Sequence, residues 1–268
     1  MESIPITESA IYDTMQRITL SEMKAVKLMN RTDTKFVAPR CALAEILSRA
    51  KEMGYMVQYT NGVLSSYSTI YFDTHDLEMY TMHHNRKLRR QKIRCRTYVE
   101  SKLSFLEIKN KNNKGRTKKI RITVDESDSI ALRQNDEAID FVNSNTKYRF
   151  NELVPALTTE FSRITLVNPE KTERITIDLN VSFYNFFNKQ CGNLKPIIII
   201  ELKQDGRYVS TMRQILRDLR IMPLKMSKYC MGTVITTTNP NVKTNRFKIK
   251  LQKIKKLSSQ NYDTICRI

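Results

Sequence analysis

Glycine is scarce: the 268 residues contain six, and none lies in a G-x-x-x-x-G-K-[ST] run, which excludes backbone cradling of phosphates by a P-loop. Tryptophan is absent, and the three histidines, His75, His83 and His84, have no partners at zinc-ligand spacing, so they read as surface or structural groups. The five cysteines (Cys41, Cys95, Cys191, Cys230, Cys266) are odd in number and form no C-x-x-C pair, a usage that fits free thiols in a reducing compartment. No apolar run approaches the roughly 18 residues of a membrane-spanning helix, and the densest, 197–200, stops at Glu201. The N-terminus lacks a basic stretch followed by an apolar one, so no secretory signal is expected. A cytoplasmic location is the expectation. Acids are also in short supply, 27 against 46 Lys and Arg, for a net charge of +19.

Such an excess opposes folding by self-repulsion and points to an anionic partner: nucleic acid, acidic lipid, nucleotide or polyphosphate. Part of it is local. From Asn239 the chain is a polar, basic tail, in which Phe247, Ile249, Leu251, Ile254 and Leu257 alternate with bases. As a helix, 242–257 would be a basic amphipathic surface for anionic lipid or a membrane partner, which would make the protein peripheral at a membrane; as coil it would be a solvated extension. The division expected is a body over 1–238 and a tail over 239–268.

Along the body, a helix is expected up to about Leu28, then a strand through 29–39, and a helix over 43–53 stopped by Gly54. Strand character at 67–72 precedes Asp73 and Thr74, which can cap a helix over 75–84. From Lys92 the period becomes two. Residues 92–100, 104–111 and 117–124 read as successive antiparallel strands, followed by two short helices in 126–150. Strands return at 156–167, 173–183 and 196–202, with a helix over 208–219 and a last short element at 227–235.

Because side chains two apart share a face, each strand has a charged and an apolar side. Lys92, Arg94, Arg96 and Tyr98 oppose Ile93, Cys95 and Thr97; Glu107, Lys109 and Lys111 oppose Leu106 and Ile108; Lys119 and Arg121 oppose Ile120 and Ile122. Arg174, Thr176 and Asp178 oppose Ile175 and Ile177, and Glu201 and Lys203 oppose Ile200 and Leu202. A sheet with its charged face in water is one reading. The other rolls the charged faces inward and covers the apolar faces with helices. Arg-rich faces carrying isolated acids count towards the second, since guanidinium suits bidentate contact with phosphate oxygens, but the pattern alone leaves both readings open and does not displace the first. Tyr71 and Phe72 read as core, and a salt bridge competes with metal binding as the reading of Glu201.

An ordered series of segments carries a resemblance: NRTDTKFV (30–37), YSTIYFDTHDLEMY (67–80), RQKIRCRTY (90–98), FLEIKNK (105–111), TKKIRI (117–122), FSRITLV (161–167), ERITIDLN (173–180), IIIELK (198–203) and KMSKYCMG (225–232). In this order the chain resembles the VTC domain, the catalytic domain of the vacuolar transporter chaperone complex, within the triphosphate tunnel metalloenzyme superfamily. The resemblance implies an α+β fold, a closed antiparallel β-barrel tunnel with helices packed on its outside. It implies transfer of the γ-phosphate of ATP to a growing polyphosphate chain, with ATP, pyrophosphate or inorganic polyphosphate as partners and Mn²⁺ or Mg²⁺ as cofactor. Carried over position by position, Lys35, Arg94, Arg96, Lys203 and Lys228 form the catalytic set and Lys109, Lys119, Arg121, Arg163, Arg174 and Lys225 the remaining phosphate grip. Glu201 holds the metal, with Glu107 as second acid. One departure stands out. Triphosphatases of the superfamily begin with E-x-E-x-K, whereas this chain has Arg31, Asp33 and Lys35. A hydrolase of triphosphate or polyphosphate on the same fold, and a non-catalytic polyanion or RNA binder, are the alternatives; no recognisable nucleic-acid module is present, which disfavours the last.

Overall fold

The computed structural model describes residues 8–25, 31–60, 62–125, 129–206 and 208–259. In chain order its elements are α1 (Glu8–Asp13), β1 (Arg17–Ile18), α2 (Leu20–Ala25), β2 (Arg31–Pro39), α3 (Leu43–Glu52), β3 (Met56–Gln58), β4 (Ser65–Asp73) and α4 (Glu78–His84). Then come β5 (Arg90–Tyr98), β6 (Leu103–Lys111), β7 (Thr117–Val124), α5 (Ser129–Leu132), α6 (Asp136–Asn145), β8 (Val154–Val167) and β9 (Glu173–Asn185). β10 (Cys191–Asn193), β11 (Ile197–Asp205), α7 (Thr211–Asp218), α8 (Lys228–Thr236) and α9 (Lys248–Ser258) complete the described chain. Met29, Asn30 and Cys266 lie outside the described residues, as does the side chain of Arg31.

The sheet has 11 strands, and its main path runs β2-β11-β9-β8-β4-β5-β6-β7, antiparallel throughout. The closed barrel expected from the resemblance is corrected here: β2 and β7 end the path, and no hydrogen-bonded ladder joins them among the described residues. The cause is local. The free edge of β2 is taken by the irregular segment before α8, where Leu224 N–H donates to Lys35 O and Phe36 bridges to Pro223. A proline there cannot extend a ladder towards β7.

Which face is inside follows from the packing. Phe36, Ala38, Ile164, Ile175, Ile177, Ile198 and Ile200 form one buried cluster with Leu43, Ile46 and Leu47 of α3 and Met212 and Leu216 of α7. Phe72, Ile93, Leu106 and Ile108 form another with Leu132, Ala138 and Val142 of α5 and α6. The apolar faces therefore back onto helices, and the charged faces turn towards one another. That inner face is itself divided. Val37, Ile197 and Ile199, which alternate with the outward residues of the same strands, pack with Leu157, Val181, Phe183 and α8 residues Tyr229, Cys230, Met231 and Val234. So α8 sits inside the curl, not outside it, and stoppers one end. A β-bulge opposite Phe161, with Asn180 at φ +53, lets β9 change sides: Leu179 faces out and Val181 faces in. The stopper fits closely because residue 232 is glycine; a Cβ there would lie 2.5 Å from Leu157 Cδ2 and Phe183 Cδ1.

The described part of the tail, 239–259, is not free coil. Phe247 and Ile254 are buried in the stopper cluster, and Leu251 and Leu257 pack against it. The apolar side expected to face lipid is turned onto the protein, and of the tail's described apolar residues Ile249 is left exposed. No helix among the described residues is long and apolar enough to cross a membrane.

Candidate active site

Beyond the stopper the inner face is charged. β2 presents Lys35, β5 presents Lys92, Arg94 and Arg96, and β6 presents Glu107 and Lys109, with the strand registers setting Arg94 opposite Glu107 and Glu107 opposite Arg121. β9 and β11 add Arg174, Thr176, Asp178, Glu201 and Lys203, with Glu201 between Lys35 and Thr176. Arg163 of β8 stands opposite Asp178, and Lys228 enters from the first residue of α8.

Three acids organise these cations, each between two of them. Glu107, 1% exposed, accepts from Arg94 Nε and Nη2 at 2.8 and 2.6 Å through Oε2 and from Lys119 Nζ at 2.5 Å through Oε1. Asp178 accepts from Arg163 Nε at 2.6 Å and Nη2 at 3.0 Å, and from Lys228 Nζ. Glu201 pairs with Lys203 at 2.8 Å and Lys35 at 3.5 Å. Burial alone would raise all three carboxyls. At Glu107, Arg94 and Lys119 overcome it and hold the group near 2; at Asp178, Arg163 and Lys228 drive it well below the usual range, as Lys35 and Lys203 do at Glu201.

The remaining cations crowd one another. Arg94, burial and Arg96 together push the Lys109 ammonium down to about 6, against the pull of Glu107 and Glu201. Burial, then Arg94 and Arg163, bring Arg96 down to about 10, and burial lowers Lys228 to about 8 despite Asp178. Aromatic rings floor this cluster: Lys228 Nζ lies 3.7 Å from the centroid of Phe161, and Arg163 lies 5.0 Å from that of Tyr67.

The structure brings Lys35, Arg94, Arg96, Lys109, Arg163, Lys203 and Lys228 together with Glu107 and Glu201. Arg174 stands beside Lys203 in register, and Lys119 and Arg121 line the more exposed β7 edge, Arg121 4.2 Å above the Phe105 ring. Lys225 is set apart, exposed on the segment before α8 beside Lys111 and Lys250. Sequence reasoning left five members out of the site. Lys92, which donates to Ser227 Oγ at 2.9 Å, was visible in the charged parity of its strand. Asp178 was visible in the same way, as an isolated acid among bases. Tyr71 is buried as expected, but its hydroxyl accepts from Arg94 at 3.4 Å, and although burial would raise it, Arg94 and Arg96 bring it down to about 8. Thr159 and Thr176 present buried hydroxyls without a hydrogen-bond partner; their strands' spacing gave no signal of this.

A divalent metal can be tested against these donors. Among the described residues no three His, Cys, Asp or Glu side chains come together. A protein-only cage is therefore not formed. The set fits an ion that arrives with its phosphates, because Mg²⁺ and similar cations use one or two carboxylates and fill the rest with phosphate oxygens and water. Glu201 is the suited acid: its side chain is 21% exposed, against 1% for Glu107 and 5% for Asp178.

A curled antiparallel sheet that gathers Lys and Arg from many strands onto one interior defines a triphosphate-tunnel fold. The VTC domain model matches residues 30–237, and the chain belongs to that family. Among solved structures, a Hippeastrum candidate adenylyl cyclase described as having a dominant triphosphatase activity is 15% identical at a TM-score of 0.51, covering 76% of this chain and 95% of that one. A candidate adenylate cyclase from Vibrio parahaemolyticus is 9% identical (TM-score 0.45; 76% and 99% covered), and the PH1819 protein of Pyrococcus horikoshii is 14% identical (TM-score 0.43; 76% and 98%). At 15% identity the likeness to the Hippeastrum protein is one of fold. No curated protein matches the chain.

Proposed function

We propose that this chain is a metal-dependent polyphosphate polymerase, taking the γ-phosphate of ATP onto a growing inorganic polyphosphate chain. One observation carries the reading: side-chain cations from β2, β5, β6, β8, β9, β11 and α8 converge on a single interior while the apolar faces of the same strands are covered by helices. Phosphoryl transfer needs positioning and charge neutralisation rather than a protein nucleophile. An oxygen of the acceptor's terminal phosphate bonds to the γ-phosphorus as the bond to the bridging oxygen breaks, and ADP leaves. Arg94, Arg96 and Arg163, fixed by Glu107, Thr69 and Asp178, hold equatorial oxygens in a preset arrangement. Lys35 and Lys228 neutralise charge at the stoppered end, and Lys203 does so two residues further along β11. Glu201 would hold Mn²⁺ or Mg²⁺, which supplies further neutralisation of phosphate oxygens when bound.

Hydrolysis of triphosphate or polyphosphate is the second reading, favoured by the activity described for the Hippeastrum protein of similar fold. Purified protein given ATP and Mn²⁺ separates the two. Chain growth on a urea gel, lost in Glu201→Gln and Arg96→Ala, supports the polymerase. Free phosphate without chain growth supports the hydrolase, and no turnover with tight polyanion binding leaves only a binder.

A further inference from the structure

Outside the channel a second group of bases is assembled, and among the described residues no ion pair with a carboxylate balances it. In β5 and β6, Arg90 and Lys111 stand directly opposite one another, a like-charge pair that costs stability. Lys225 comes to them on the segment that Lys92 ties down through Ser227. Lys250 comes from α9, whose start is pinned to the end of α4: Tyr80 Oη donates to Lys243 O, Arg246 donates to His84 O, and Phe247 packs on the His84 ring at 5.6 Å. Among them lies His83. Its Nδ1 is buried and has no hydrogen-bond partner. Burial, followed by Lys92, Arg90, Lys250 and Lys111, keeps that ring neutral. β5, β6, the segment before α8 and α9 deliver charge of one sign to one place.

We propose that Arg90, Lys111, Lys225, Lys250 and His83 form a second phosphate-binding site, which holds the distal part of a long polyphosphate whose terminus lies in the channel. The proposal rests on the channel reading given above. Continuity supports it, because Lys92 shares a face with both Arg94 and Arg90 and so links the two groups of cations. Exclusion supports it too. The stopper of α8 denies a long chain passage straight through the curl, and beside it the Lys92 flank is where cations continue out of the channel. Two linked sites bind a chain that spans them far more tightly than either alone, by about 10²–10⁴. A triphosphate, too short to span, gains nothing.

The test compares tripolyphosphate with long-chain inorganic polyphosphate on the wild type and on Lys111→Ser/Lys250→Ser, by titration calorimetry at fixed salt. Neither residue belongs to the channel. The expected result is a loss of at least about tenfold in long-chain affinity with tripolyphosphate affinity unchanged. An unchanged long-chain affinity, or an equal fall for both ligands, overturns the second site. A wild type that fails to bind tripolyphosphate overturns the channel reading instead, and leaves this site standing if long chains still bind and still depend on Lys111 and Lys250. Vesicles containing phosphatidylserine form a further arm: if the double variant loses vesicle binding and keeps polyphosphate binding, the patch serves lipid and the proposal is wrong. Thermal melting of the variant guards against misfolding, and removal of like charges should leave its Tm equal or higher.

Discussion

Replacing Glu107 by glutamine keeps the shape of the side chain and removes its charge. Arg94, 8% exposed, then loses the carboxylate that receives both its Nε and its Nη2. A guanidinium left buried without a counter-charge costs about 3–5 kcal/mol. For a chain of this size each kcal/mol lowers Tm by roughly 2–4 °C, so a fall of roughly 10 °C is expected. Lys119→Met is the control. It removes the other partner of the same carboxylate, but that lysine side chain is 41% exposed, and pairs of that kind contribute about 0–1 kcal/mol. The pH dependence has a definite sign. Since Arg94 and its neighbours depress the Glu107 carboxyl to about 2, its contribution is complete above about pH 4.5 and disappears as pH falls towards 2. Differential scanning calorimetry of both variants from pH 7 to pH 2.5 reads the result. Glu107→Gln should be far less stable at pH 7 and should converge on the wild type in acid. A loss below 1 kcal/mol, or Lys119→Met matching Glu107→Gln, would refute the buried clamp.

Tripolyphosphate should stabilise the fold by relieving self-repulsion: about 2.7 kcal/mol at 100 times its Kd, read as a Tm rise of several degrees that shrinks with added salt. Lys109 is held near 6 in the free protein, so triphosphate should draw a proton back onto it; affinity then falls as pH rises above 6, and calorimetry in buffers of different ionisation enthalpy at pH 8 should show about one more proton taken up by the wild type than by Lys109→Met. Gly232→Ala places a methyl group against Leu157 and Phe183, and overpacking of that sort costs about 1–3 kcal/mol; chemical denaturation showing less than 0.5 kcal/mol would mean that α8 is not tightly seated.

The strands from Lys92 onward were legible because both their backbone period and their chemistry alternate. Strand bounds read at 92–100, 104–111 and 117–124 differ from β5, β6 and β7 by at most two residues at either end. Parity also sorted the charged face from the apolar face, but could not say which was concave; that depends on α3, α6 and α7 covering the backs, a relation between distant segments. The helix read over 75–84 begins later, at Glu78. Leu77 adopts φ 55, and the Asp73 carboxylate reaches forward to Met79 N and Tyr80 N, so Asp73 serves the helix as an acceptor across a loop rather than from an adjoining cap. The element at 227–235 gave least warning of its place. α8 is buried on all sides, so it has no polar stripe to set its period or announce that it lies inside the sheet.

The layout separates stability from chemistry in an uneven way. Two helix-backed clusters hold the sheet from outside and the stopper holds one end from within, so the cations of the open interior are not needed to keep the strands together. Lys35 and Lys109 could be neutralised at little cost to folding, and their loss should register in phosphate binding. Arg94, Arg163 and the acids that grip them are different, because breaking either clamp strands a buried charge. A charge-removal scan of the interior should therefore divide cleanly: unstable variants at Glu107, Asp178, Arg94 and Arg163, and stable variants with weakened phosphate affinity at Lys35, Lys109 and Lys203. A scan in which stability and binding fell together at every position would mean that the cations are part of the scaffold, and the interior could not be an open receptor for phosphate.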